Sequence, residues 1–249
     1  MLVALFGLYE FYNSISIAGF RPIRTLGYLS CISLLFLSVN QQDKSFAGLF
    51  IPINFFSLSV FIIIFILFCS MVLRPKKHNL IDISLTIFAI FYVVFLISFV
   101  ILTRNLENGE YYIWLVFIGA FATDTFAYFT GRLIGRVKII PEISPKKTVE
   151  GSIGGVIGCI AVTVVYGFII NKYIGNIHII NFIILGILNG VISQIGDWSA
   201  SAIKRFVNVK DFGKIMPGHG GVLDRMDSIL FVAPVVYFYI NLVVLKLGV

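Results

Sequence analysis

The chain has 249 residues, 59% of them hydrophobic and only 12% charged, with a formal net charge of +7. Its mean hydropathy is +0.99. That balance excludes a water-soluble domain and specifies an all-α fold, a polytopic bundle of membrane-crossing helices.

Hydrophobic stretches long enough to cross about 30 Å of hydrocarbon as helices fall near residues 2–18, 25–41, 50–72, 80–102, 112–130, 153–170, 176–197 and 228–246. That makes about eight transmembrane helices. The first, within "MLVALFGLYEFYNS", has no basic flank and is interrupted by Glu10, so it does not read as a signal peptide. Residues 1–110 carry Phe, Ile, Leu and Ser with little chemistry and read as scaffold helices. Polar residues and long charged loops concentrate in residues 111–249, which read as the catalytic helices and loops of one membrane domain. No internal repeat or flexible linker divides the chain. Cys31, Cys69 and Cys159 lie in or near apolar stretches without ligand spacing and read as small core residues. His78 and His178 are single interfacial histidines and read as structural.

A basic chain can signal a nucleic-acid partner, but the position of the charge points elsewhere. Alternating the loops across a bilayer leaves only Lys44, Arg104, Lys172 and Lys246 on one side, and the remainder of the nineteen Lys and Arg on the other. By the positive-inside rule, the loops around 20–25, 73–79, 131–152 and 198–227 face the cytoplasm. The charge therefore reports topology, with no nucleic acid implied. The same count puts the N-terminus outside, an orientation that one more preceding helix would reverse.

Acids inside apolar helices need a partner, a cavity or an interfacial position. Asp82, after "KKHNLI", sits where a helix begins and suits the helix dipole, and Glu10 reads as buried and paired. Asp124 lies about two turns inside its span, with Tyr128 and Arg132 at i+4 and i+8 on the same face. "DTFAYFTGR" is then either a structural Asp–Arg pair or one wall of a polar site. The loop that follows, "GRLIGRVKIIPEISPKKTVEG", has the glycines and cations to cradle polyphosphate, and Ser144, Lys147, Thr148 and Glu150 converge in it. No Walker P-loop motif occurs in the chain.

"IGDWSASAIKR" places Asp197 at the cytoplasmic end of a span, where a carboxylate meets the negative end of the helix dipole unless a cation compensates. Asp224 and Asp227 in "LDRMD" share a face of the last helix's first turn at the same membrane level. Three hard oxygen ligands, Asp197, Asp224 and Asp227, fit Mg²⁺, which takes one or two carboxylates plus substrate phosphates. His219 in "PGHGG" reads either as a ligand or general base, or as a side chain bonded to its own loop backbone.

The segment "SAIKRFVNVKDFGKIMPGHGGVLDRMD" resembles the signature of the phosphatidate cytidylyltransferase (CDP-diacylglycerol synthase) family. "DTFAYFTGRLIGRVKIIPEISPKKTVEG" resembles that family's upstream block, and "GDWSASAIKR" the helix end before the signature. The match spans roughly residues 120–230; Met216 and Ala200 are its departures.

The resemblance implies condensation of CTP with phosphatidate to give CDP-diacylglycerol and pyrophosphate, in a cell membrane with the active site facing the cytoplasm. It implies Mg²⁺, a second monovalent ion such as K⁺, a homodimer, and typically nine helices rather than eight. It puts Asp197, Asp224 and Asp227 on the metal positions. Asp124, Lys204, Arg205, Lys210, His219 and Arg225 take catalytic positions, and Tyr128, Arg132, Ser144, Lys147, Thr148, Ser201, Gly220 and Gly221 substrate-binding ones. Two rival readings remain, a CTP-dependent polyprenol-type lipid kinase and a cation transporter using intramembrane acids. A CDP-alcohol phosphatidyltransferase would carry DGxxAR followed by GxxxDxxxD, which are absent.

Overall fold

A computed structural model describes residues 1–32, 34, 51–74, 77–175, 177–215 and 220–245, and within 51–57 the backbone alone. Eight helices are present among these residues: α1 (Leu2–Ile17), α2 (Arg24–Ser30), α3 (Ile51–Leu73), α4 (Leu80–Arg104), α5 (Gly109–Ile134), α6 (Val149–Ile174), α7 (Ile179–Phe206) and α8 (Leu223–Leu245). A π-helical turn interrupts α4 at Ile90–Phe95, and another ends α8 at Ile240–Leu245. No β-strand occurs among the described residues, which carry one isolated antiparallel bridge between Lys138 and Thr148.

Five of these helices, α4 to α8, are long and apolar enough to cross a membrane, so the protein is a multi-pass all-α membrane protein. α1 and the Leu58–Leu73 part of α3 are shorter apolar helices. The expected span at 25–41 begins as α2 and then lies mostly outside the described residues. Large apolar side chains such as Phe61, Phe65, Phe121 and Phe168 point outward, as a lipid-facing surface requires.

The chain forms two compact units, Met1–Asn105 with Phe206–Arg225, and Leu106–Arg205 with Met226–Val249. In the first, the Phe11 ring of α1 packs against Phe88, Tyr92 and Phe212. The turn after α1 is tied to α4: Arg21 N–H donates to Asp82 Oδ1 (2.7 Å) and Ile23 N–H to Thr86 Oγ1 (2.9 Å). Asp82 also completes a capping box with Asn79, the helix-start role its position predicts. Ile63, Leu67 and Ile83 form the apolar contact between α3 and α4.

The second unit is assembled through glycine. In α6, a β-carbon at Gly151 would stand 2.8 Å from Ala127 O, and one at Gly155 would stand 3.0 Å from Thr123 O, both on α5. In α7, β-carbons at Gly186 and Gly190 would stand 2.7 and 2.9 Å from the Cα atoms of Ile160 and Val156 on α6. Lipid tails are as apolar as leucine, so van der Waals fit between closely approaching backbones holds such helices together. The four-residue glycine spacing places those approaches on one face of each helix.

Candidate active site

Where α5, α6 and α7 of the second unit meet the loop between α5 and α6, they enclose a cavity of about 450 Å³. Asp124, Tyr128, Arg132, Ser144, Lys147 and Thr148 all line it, together with Lys138, Lys146, Ser152, Gln194 and Trp198. Six residues singled out in the sequence are therefore gathered around one space.

Local sequence explains how the loop is held. Thr148 caps α6 by accepting the Gly151 N–H (3.2 Å), and Glu150 accepts the N–H groups of Arg136 (2.9 Å) and Val137 (3.3 Å). The loop's two ends are pinned together, and Lys147 projects toward α7. Its Nζ pairs with Asp197 Oδ2 at 2.5 Å. Burial alone would lower the Lys147 pKa, but Asp197, Asp124 and Asp227 together hold it above the usual lysine value. One ammonium thus faces carboxylates from three helices, α5, α7 and α8.

Asp197 differs from its expected setting. Helix α7 runs on to Phe206, so the carboxylate lies about two and a half turns inside the helix and away from the dipole end. "SASAIKR" is polar but helix-compatible, so the hydropathy ends before the helix does. The compensating cation is Lys147 from the preceding loop.

Asp124 accepts a hydrogen bond from Ser228 Oγ (3.4 Å), while its other oxygen, Oδ1, is buried with no hydrogen-bond partner. The same hydroxyl lies 3.2 Å from Ser193 O, so its one proton is shared between the two acceptors, and the Ser228 N–H donates to Asp227 Oδ1 (2.8 Å). Arg132 Nη1 donates to the Tyr128 hydroxyl (3.2 Å), both exposed at the cavity mouth. Arg205 Nε bonds Ile143 O (3.2 Å), and Lys204 lies close enough to Asp227 to act on its charge. Ser201 is half-buried on α7.

Lys210, Gly220, Gly221, Asp224 and Arg225 belong to the first unit. Asp224 Oδ2 accepts the Phe212 and Gly221 N–H groups (2.9 Å each), and Gly220 takes a φ of +82° that suits glycine. Lys210 and Arg225 are exposed. His219 lies outside the described residues.

Several residues had gone unassigned in the sequence. Gln194 bonds Gly190 O (2.8 Å) and Ser152 O (3.2 Å) and makes a short contact with the Ser152 hydroxyl, fastening α7 to α6. Ser228 joins α8 to Asp124. A polar residue at the start of an apolar helix is the available signal for Ser228, and a carboxamide within an apolar span the signal for Gln194, as for Asn181 and Asn189 on the same helix.

No three His, Cys, Asp or Glu side chains among the described residues are grouped closely enough to make an all-protein metal cage. Mg²⁺ does not require one, because substrate phosphates and water complete its shell. The donors present, Asp197, Asp227 and the unpartnered Asp124 Oδ1, are hard carboxylate oxygens and fit that ion.

Curated proteins align with much of this chain. A protein of Staphylococcus haemolyticus named phosphatidate cytidylyltransferase is 34% identical over 233 residues, 94% of this chain and 85% of its own length. One of the same name from Synechocystis is 32% identical over 269 aligned residues, covering 97% and 86%. One from Bacillus subtilis is 41% identical over 140 residues, 56% of this chain and 51% of its own. Residues 1–243 match the model of the cytidylyltransferase family, which takes in the cavity, the signature segment and the helices that carry them. A match over nearly the whole length, which takes in the six motif residues gathered around one polar cavity, places this chain in the cytidylyltransferase family.

Proposed function

We propose that this protein is a phosphatidate cytidylyltransferase, condensing CTP with phosphatidate to CDP-diacylglycerol and pyrophosphate. Lys147 carries the reading: a cation in a polar cavity, fixed against Asp197 and flanked by cationic loops, suits a reaction between two anions.

A phosphatidate oxygen attacks the α-phosphorus of CTP; the new P–O bond forms as the bond to the β-phosphate oxygen breaks, and pyrophosphate leaves. The nucleophile is already anionic, so the protein's work is alignment and neutralisation of charge. Arg132 and Tyr128 at the cavity mouth receive the lipid phosphate. Lys138, Lys146 and Lys147 from one loop, with Lys204 and Arg205 from α7, collect the nucleotide phosphates. Asp197 and Asp227, with Asp124 beside them, would hold Mg²⁺, and the sequence resemblance adds Asp224 to the set. When bound, the ion supplies charge neutralisation between phosphates and on the leaving group. The sequence resemblance gives signature positions to Lys210, Gly220, Gly221, Arg225 and His219.

The cytoplasmic face of the cell membrane, a homodimeric state and a second monovalent ion such as K⁺ complete the proposal. Membranes carrying the protein are to be supplied with labelled CTP and phosphatidate, with and without Mg²⁺. CDP-lipid plus pyrophosphate is the expected product; phospholipid plus CDP would instead establish a lipid kinase. Ion flux in liposomes without CTP, and no lipid product, would establish a transporter.

A further inference from the structure

Glu10 is 1% exposed in the apolar helix α1, where an ionisable side chain is costly unless it is fully engaged. Its partners lie 212 and 213 residues away: Val222 N–H donates to Oε1 (3.0 Å) and Leu223 N–H to Oε2 (2.8 Å). These amides belong to the N-terminal end of α8, where no carbonyl of its own helix satisfies them. The glycines of the signature segment fit this contact. A β-carbon at Gly213 or at Gly221 would collide with the Glu10 carboxylate itself. One turn along α1, Ser14 Oγ donates to Phe212 O (3.1 Å), and the Phe212 ring lies against Phe11. Asp224 then closes the segment on itself by accepting the Phe212 and Gly221 N–H groups.

We propose that Glu10 is a positioning residue for the reaction, fixing the backbone at 221–223, and with it the signature segment folded around the carboxylate, in the one arrangement that CTP requires. The inference rests on the cytidylyltransferase reading. A carboxylate suits the task because its two oxygens accept both N–H groups at once, whereas a carboxamide would turn a donor toward one of them. The glycines explain the closeness, since any larger residue at 213 or 221 would push the carboxylate away.

The test uses the full chain in lipid nanodiscs. Glu10→Gln is expected to lower kcat/KM for CTP by about tenfold or more, with the KM for phosphatidate changed less than about twofold. Glu10→Asp, which keeps two acceptors, is expected to recover part of the loss. Hydrogen–deuterium exchange of peptides covering 207–215 and 220–223 is expected to quicken in Glu10→Gln, with peptides from α5 and α6 unchanged. Wild-type kinetics and exchange in Glu10→Gln would overturn the proposal, as would loss of active protein at unchanged KM for CTP. If Glu10→Gln does not fold, Gly213→Ala displaces the same carboxylate and must show the same selective loss at CTP; wild-type kinetics in that variant overturn it. Should the wild type put no CTP into lipid, the functional reading fails, and the exchange comparison still decides whether Glu10 holds the segment.

Discussion

Lys147 Nζ lies 2.5 Å from Asp197 Oδ2, joining the loop after α5 to the middle of α7. The pair brings the cation of one sequence block onto the acid of another. It also places an ammonium before Asp124 and Asp227, whose charges bear on it.

Lys147→Gln leaves Asp197 without its paired cation and, in the proposed reaction, removes a contact to phosphate. CDP-lipid formation is expected to fall at least about tenfold, with Lys147→Arg retaining more activity because its charge remains. Initial rates at saturating lipid check this; equal rates in wild type and Lys147→Gln would remove Lys147 from the site.

The carboxylates are expected to fail together. Asp124→Asn, Asp197→Asn and Asp227→Asn should each cost on the order of a hundredfold in turnover. Asp224→Asn tests the ligand that the signature adds. Wild-type rates in both Asp197→Asn and Asp227→Asn would sink the metal assignment.

Chelation with EDTA is expected to abolish turnover, and added Mg²⁺ to restore it, with Ca²⁺ a poor substitute because Mg²⁺ demands a tighter octahedral shell. The check is the same CTP incorporation assay across a metal titration. Full activity after exhaustive chelation would contradict the prediction.

Gly155→Val would drive a branched side chain into Thr123 O and the Ala127 methyl. Overpacking of this kind costs roughly 1–3 kcal/mol, and the cavity wall formed by α5 and α6 would shift with it. Thermal unfolding in detergent should show a lowered Tm together with reduced activity. An unchanged Tm would mean that the two helices can separate freely at that point.

Much of the site was legible in the sequence because its residues are locally clustered. Asp124, Tyr128 and Arg132 share a face by helical spacing alone, and all three line the cavity. The partners were not legible. Arg132 bonds Tyr128, while Asp124 turns to Ser228, a choice that helical periodicity does not make. Asp197 was assigned to a helix end because hydropathy stops there, but helix propensity carries α7 on to Phe206. Glu10 read as a buried acid in need of a partner, yet nothing near it in sequence pointed to residues 222 and 223.

Hydrophobic runs, basic loops and motif spacing are local quantities, so the sequence by itself determined a helical membrane protein, the clustering of its charges and the family it resembles. The tertiary structure decided which cation meets which acid and which carboxylate secures the signature segment. Those pairings depend on how closely helices distant in sequence approach. Glycines along α6 and α7 set that approach within the second unit, and Gly213 and Gly221 set it around Glu10 in the first.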